Sequence, residues 1–236
     1  GVDPADYPSI AEALQKNEVT DELRKELAAK AFGHLAFYDA QIARYLGNEQ
    51  FPQELTIPAR AEKELRCGDN PDQKAVMYVF PWATESPMAH LERLTGRESS
   101  VTNITDVDAG LRVVRLFREP AAVVIKHNTS CGIALGETCT EALMRALEAD
   151  PESAFGGVVV LNGPMTWEAA QAINSFKQSG RGRMDVVAAT EIDDKTLEFL
   201  QSIRKSTGIY TFGKLPPRRE GEILYKAIDG GFILQT

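Results

Sequence analysis

The chain has 236 residues, with 34 acidic against 26 basic side chains and a net charge of −8. That length allows one large domain, or one domain with an appendage, and a core of useful size. The acidic balance argues against non-specific binding to nucleic acid or anionic membranes, although a local basic pocket for a phosphate is compatible with it. No apolar run approaches a membrane span, and no signal peptide is visible.

Gly1 to about residue 50 reads as a helical segment. Asp6-Tyr7-Pro8-Ser9 opens one helix, and Thr20-Asp21-Glu22-Leu23 is the capped start of a second. From Leu23 the residues Leu27, Ala31, Leu35, Tyr38, Ile42 and Leu46 form one apolar stripe at three- and four-residue steps, and Gly47-Asn48 supplies the stop. His34 reads as a helix-surface or packing histidine. Residues 48–73 mix Pro52, Pro58, Gly68, Asn70 and Pro71 and predict a linker and a turn. A strand is expected over 74–80.

Asn103-Ile104-Thr105-Asp106 precedes a helix that Pro120 ends. Val123-Val124-Ile125 then predicts a buried strand, with Lys126-His127 at its end and a polar turn, Asn128-Thr129-Ser130-Cys131-Gly132, closed by glycine. Helices are expected from Thr138, Thr166 and Asp193. Apolar strands are expected at Val158–Leu161, Asp185–Ala189 and 209–212, with two more around a turn at the end of the chain. Residues 178–183 form a loop of glycine and arginine. This alternation predicts an α/β fold, a sheet covered by helices on both faces. Ligands in such folds gather at the carboxyl ends of the strands, where Lys126 and His127 are expected. Gly156-Gly157 precedes its strand, so its place in the site needs a different topology or a second approach of the chain.

Three cysteines, Cys67, Cys131 and Cys139, are widely spaced and odd in number, which points to reduced thiols and a cytoplasmic location rather than a disulfide framework. Three histidines without a paired C-x-x-C leave no ligand spacing for structural zinc. No G-x-G-x-x-G follows a strand, and the G-x-x-x-x-G-K-[ST] and G-x-S-x-G signatures are missing.

Lys126-His127 has chemical use: imidazole moves a proton near neutral pH, and an ammonium steadies a developing negative charge. On the dipeptide alone, a surface pair is the favoured reading, because charged residues usually lie on the surface. Ser130-Cys131-Gly132 offers a nucleophilic cysteine with His127 as its base. Nucleophile and base are normally remote in sequence, however, which weighs against this pairing.

Four motifs in order carry a resemblance. They are Arg66-x-Gly68-x-Asn70-Pro71-x-Gln73-Lys74, Lys126-His127-x-x-x-Cys131-Gly132, Asp150-Pro151-x-Ser153-Ala154-Phe155-Gly156-Gly157 and Gly230-Gly231-Phe232-Ile233-Leu234-Gln235. Together they resemble the bifunctional purine biosynthesis family, AICAR transformylase/IMP cyclohydrolase. Asp3-Pro4-Ala5-Asp6-Tyr7 and Lys30-Ala31-Phe32 with Ala36, Tyr38 and Asp39 resemble the helical segment joining its two catalytic domains.

The resemblance implies a three-layer α/β/α, cytidine-deaminase-like first transformylase subdomain over residues 51–236, behind an interdomain helical segment over 1–50. Cytidine-deaminase-like refers to topology: the zinc signature H-x-E with P-C-x-x-C is not in the sequence, and no metal is expected. The implied reaction is formyl transfer from the co-substrate 10-formyltetrahydrofolate to AICAR in purine (IMP) biosynthesis. His127 would relay the amine proton, and Lys126 would stabilise the oxyanion or hold its neighbour's proton state. Arg66, Gly68, Asn103, Gly156 and Asp185 would bind the nucleotide. A homodimer, or a second chain supplying the missing subdomain, is implied as partner. In the family pattern tyrosine stands at Cys67, histidine at Asp72 and proline at Ser130. These departures, with the missing half, keep open an alternative, a purine-nucleotide-binding or assembly module without catalysis.

Overall fold

The computed structural model describes residues 1–218 and 221–236, which fall into two compact units. The first comprises Gly1–Arg60 with Tyr78–Trp82. Its helix α1 (Tyr7–Gln15) follows a short 3-10 turn, and α2 (Asp21–Leu46) is 26 residues long. The Thr20 hydroxyl accepts the Leu23 N–H at 3.2 Å, satisfying one of the free donors of the first turn of α2. His34 is exposed on this helix. Within this unit the Arg44 guanidinium lies 3.9 Å over the Trp82 ring and that of Arg60 lies 4.4 Å over Phe37.

The expected linker over 48–73 holds a strand, β1 (Arg60–Leu65), which forms a two-stranded ribbon with β2 (Ala75–Val79). The second unit, Ala61–Met77 with Ala83–Thr236, holds β3 (Glu92–Thr95), α3 (Val101–Val114), β4 (Ala121–Lys126), β5 (Thr129–Leu135), α4 (Cys139–Ala149) and β6 (Val158–Leu161). These are followed by α5 (Trp167–Gln178), β7 (Val186–Ala189), α6 (Asp194–Ile203), β8 (Gly208–Thr211) and the hairpin β9 (Leu224–Ile228) with β10 (Gly231–Gln235). The polar stretch expected as a turn after Lys126 is therefore mostly strand, because β4 reverses at once into β5.

Six strands make one mixed sheet in the order β3-β8-β7-β6-β4-β5. β6, β7 and β8 run parallel, while β4 is antiparallel to both of its neighbours. Side chains alternate between two apolar layers, as the pleat requires. Val124, Val159 and Val187 face α4, α5 and α6, whereas Val123, Val160 and Ala188 face α3. Each fully buried valine or leucine contributes about 1.5–3 kcal/mol of transfer free energy. The expected α/β sheet covered on both faces is what the chain forms. Two glycines set the layer spacing. A Cβ on Gly132 of β5 would press into the Ala146 carbonyl oxygen of α4, and one on Gly110 of α3 would strike Val160. No helix among the described residues is long and apolar enough to cross a membrane.

Candidate active site

The antiparallel register of β4 decides where the expected residues meet. Ile125 pairs with Val158, so the end of β4 lies beside the start of β6. Val158 pairs with Val186, which brings in the start of β7. Lys126-His127, Gly156-Gly157 and Asp185 therefore share one edge of the sheet. A Cβ on Gly157 would stand 3.0 Å from the Ile125 carbonyl oxygen, so the two segments approach more closely than a larger residue fits without a shift. Lys126 and His127 lie at the carboxyl end of their strand, as expected, whereas Gly156-Gly157 and Asp185 precede theirs. The cluster lies at the carboxyl end of β4 and the amino ends of β6 and β7.

Lys126 pairs with Thr129, leaving His127 and Asn128 as a two-residue hairpin turn. Both have left-handed backbone, φ 53° and 60°, the signature of the primed turns that match strand twist. Histidine and asparagine tolerate this region better than most residues. His127 is exposed at the turn, and Lys126 is half-buried at the strand end. The Asn128 N–H donates to Asp106 Oδ1 at 2.6 Å, and Asp106 is only 4% exposed on α3. Sequence reasoning placed Asp106 beside the candidate Asn103 without giving it a role. Its burial is the missing signal, and no local pattern carries that.

Asn103 sits in the first turn of α3. Its Oδ1 accepts the Ser100 N–H at 3.3 Å while the Ser100 hydroxyl accepts the Asn103 N–H at 3.4 Å, a reciprocal cap. That helix start is tied to the Arg66 segment. The Arg66 N–H donates to the Ser99 carbonyl at 3.0 Å, the Val101 N–H to the Cys67 carbonyl at 3.1 Å, and Arg66 Nε to the Glu98 carbonyl at 3.0 Å. Arg66 is exposed and Cys67 is 5% exposed. Gly68 closes a turn through its N–H to the Gln73 carbonyl at 2.8 Å, and a Cβ there would meet the Gln73 side chain at 2.7 Å.

Gly156 has φ 74°, and its N–H donates to the Arg183 carbonyl at 2.7 Å. A Cβ on Gly156 would lie 3.9 Å from Asp185 Oδ2, so the two candidates are neighbours. Arg204 Nη1 donates to Asp185 Oδ1 at 2.6 Å and to the Met184 carbonyl at 3.1 Å. Asp185 is thereby held in place with its carboxylate about a third exposed.

Cys131 is the extra residue of a β-bulge: Val124 pairs with Gly132, and Ile125 with Ser130. Burial pushes its thiol above the ordinary value and Asp150 adds to this, while Lys126 pulls the other way. A raised thiol is a poor nucleophile. The Cys131-Gly132 half of the motif serves the bulge and the α4 contact.

A cleft of about 1120 Å³ opens at the opposite end of the sheet, past the carboxyl ends of β7 and β8. His90, Glu92, Thr190, Glu191, Thr211 and Lys214 are among its lining residues, and none of the expected site residues lines it. Among the described residues, no group of three or more His, Cys, Asp or Glu side chains is placed to hold a metal ion.

The model of the AICARFT/IMPCHase bienzyme family matches residues 2–236. The chain belongs to this family. It is 38% identical over 238 residues to the bifunctional purine biosynthesis protein PurH of Bacillus cytotoxicus and 37% identical to PurH of Halalkalibacterium halodurans. Each alignment covers 99% of this chain and 45% of the relative, so the chain spans about half the length of the curated relatives it matches. Membership places it among proteins of purine biosynthesis and gives the ordered motifs a common origin.

Proposed function

We propose that the second unit is the first, cytidine-deaminase-like subdomain of an AICAR transformylase. It would bind an AICAR-type ribonucleotide and assist formyl transfer from 10-formyltetrahydrofolate. The single observation that carries this reading is the antiparallel β4–β6 pairing, which gathers Lys126, His127, Gly156 and Asp185 at one edge. The strand order β5-β4-β6-β7-β8 with β4 reversed supports the topological part of the reading.

In the proposed reaction the nucleotide's 5-amino nitrogen bonds to the formyl carbon and its proton passes to His127. The ammonium of Lys126 holds the oxyanion that forms. The intermediate collapses with cleavage of the carbon–N10 bond, and the leaving N10 takes up a proton. Acid–base and electrostatic help suffice, with no covalent enzyme intermediate. Asp185 would accept from the ribose, Arg66 would meet the phosphate or carboxamide, and Gly156 would let the ligand approach the backbone. The site would be completed by a second copy or by a chain carrying the other subdomain, in the cytoplasm.

The test mixes the chain with AICAR and 10-formyltetrahydrofolate, alone and with a polypeptide supplying the second subdomain. Tetrahydrofolate release is expected in at least one condition. No turnover in either would count against the reading. A second reading, nucleotide binding without transfer, is favoured by one observation: Cys67 is buried, so that position presents no exposed stacking face. It predicts calorimetric AICAR binding with no folate turnover.

A further inference from the structure

The turn that presents His127 is held from below. His127 and Asn128 both adopt a backbone region that L-residues avoid, and such conformations persist where the surroundings over-determine them. The N–H of Asn128, one residue after the histidine, donates at 2.6 Å to the carboxylate of Asp106, which is 4% exposed. Asp106 lies in α3 between Asn103, which caps that helix, and Gly110, which seats it against Val160 of β6. The helix is therefore fixed at both ends of the segment that carries Asp106. The acceptor oxygen of Asp106 meets a turn N–H that has no place in the β4–β5 ladder.

We infer that Asp106 is a positioning residue. Its carboxylate locks the His127-Asn128 turn and so fixes the direction in which the His127 imidazole is presented. Its consequence for formyl transfer rests on the reading of His127 given above. The lock itself does not.

The experiment follows amide hydrogen exchange of the whole chain by nuclear magnetic resonance, alongside turnover of AICAR and 10-formyltetrahydrofolate in the completed site. In Asp106→Ala the Asn128 amide should exchange about tenfold faster or more, the value of a hydrogen bond to a charged group. Central β4 and β6 amides should change by less than about twofold. Asp106→Asn retains an acceptor oxygen and should restore most of the protection at Asn128. Turnover in Asp106→Ala should fall about tenfold in kcat with the nucleotide KM within about threefold, because the reacting group is misdirected while the binding groups stay. Unchanged Asn128 exchange, or equal loss of protection throughout the sheet, overturns the inference. If the alanine variant does not fold, Asp106→Leu, similar in shape and without an acceptor, decides it: exchange about tenfold faster or more confined to Asn128 supports the lock, and unchanged exchange there overturns it. Absence of turnover in the unsubstituted protein would sink the formyl-transfer reading, while the exchange data still decide the role of Asp106.

Discussion

At one end of the six-stranded sheet lie Lys126, His127, Gly156 and Asp185, brought together by strand direction. At the other end, past the carboxyl ends of β7 and β8, a cleft of about 1120 Å³ holds His90, Glu92 and Lys214. The general rule for open α/β sheets points to the second end. The family motifs point to the first. The rule assumes parallel strands throughout, and here β4 runs against β6. A reversed strand puts its carboxyl end beside the amino ends of its neighbours, so chemical groups and the cleft separate.

The largest effect expected is a contrast between the two ends. His127→Ala should lower formyl transfer by about 10³-fold, within the range contributed by a positioned proton carrier. His90→Ala, in the cleft, should change it by less than about twofold. His90 Nε2 lies 2.6 Å from the Thr84 carbonyl oxygen, so its replacement removes one local contact and no proposed catalytic group. The reverse ranking would move the chemistry to the cleft and break the assignment.

Next in size is a stability effect inside the motif. Gly132→Ala drives a methyl group into the Ala146 carbonyl of α4, and backbone cannot yield as a side-chain tip does. A loss of about 3 kcal/mol in chemical denaturation is expected, the upper part of the overpacking range. A neutral outcome would show that α4 can lift from β5.

A smaller effect is expected at Asp185. Arg204→Ala removes the guanidinium that holds its carboxylate, at a stability cost of about 1 kcal/mol given the partial exposure of the pair. Nucleotide affinity, read by calorimetry, should fall a few-fold, about 1 kcal/mol. Affinity unchanged in Arg204→Ala but lost in Asp185→Asn would show that Asp185 needs no orientation by its neighbour.

Much of this architecture was legible in the sequence, and the gaps have physical causes. Thr20, Thr138, Thr166 and Asp193 each accept the backbone N–H three residues on, so the helix starts were readable from short polar side chains. The apolar strands were readable because they are buried on both faces. β1 was missed because Arg-Ala-Glu-Lys-Glu-Leu is mostly exposed and poor in strand formers. β5 was missed because a glycine and a bulge interrupt it. Strand direction is not encoded in apolar runs, so the meeting of Gly156 with the end of β4 could be posed as a topological problem but not solved. The His127-Asn128 turn lacks the usual Asn-Gly signal. Asp106 was visible only as part of an Asn-x-x-Asp segment, since its burial is a tertiary fact.

The smallest effect concerns Cys131, and it separates a bulge residue from a nucleophile. Burial raises its thiol above the ordinary value of 9.0, and Cys139 is raised for the same reason. The folded state therefore favours the neutral thiol. The stabilising contribution is fully present below the unfolded thiol's pKa, and it fades as pH rises through the folded value. Denaturation midpoints should fall above about pH 9, less steeply in Cys131→Ser. Brief alkylation with iodoacetamide at pH 8, read by peptide mass mapping, should label Cys131 more slowly than a free cysteine peptide, because the thiolate is the reacting species. If His127 served as its base, Cys131 would instead react faster than the peptide near neutral pH. That result would restore a covalent route at this end of the sheet, and His127 would then act on the thiol rather than on the amine of a bound nucleotide.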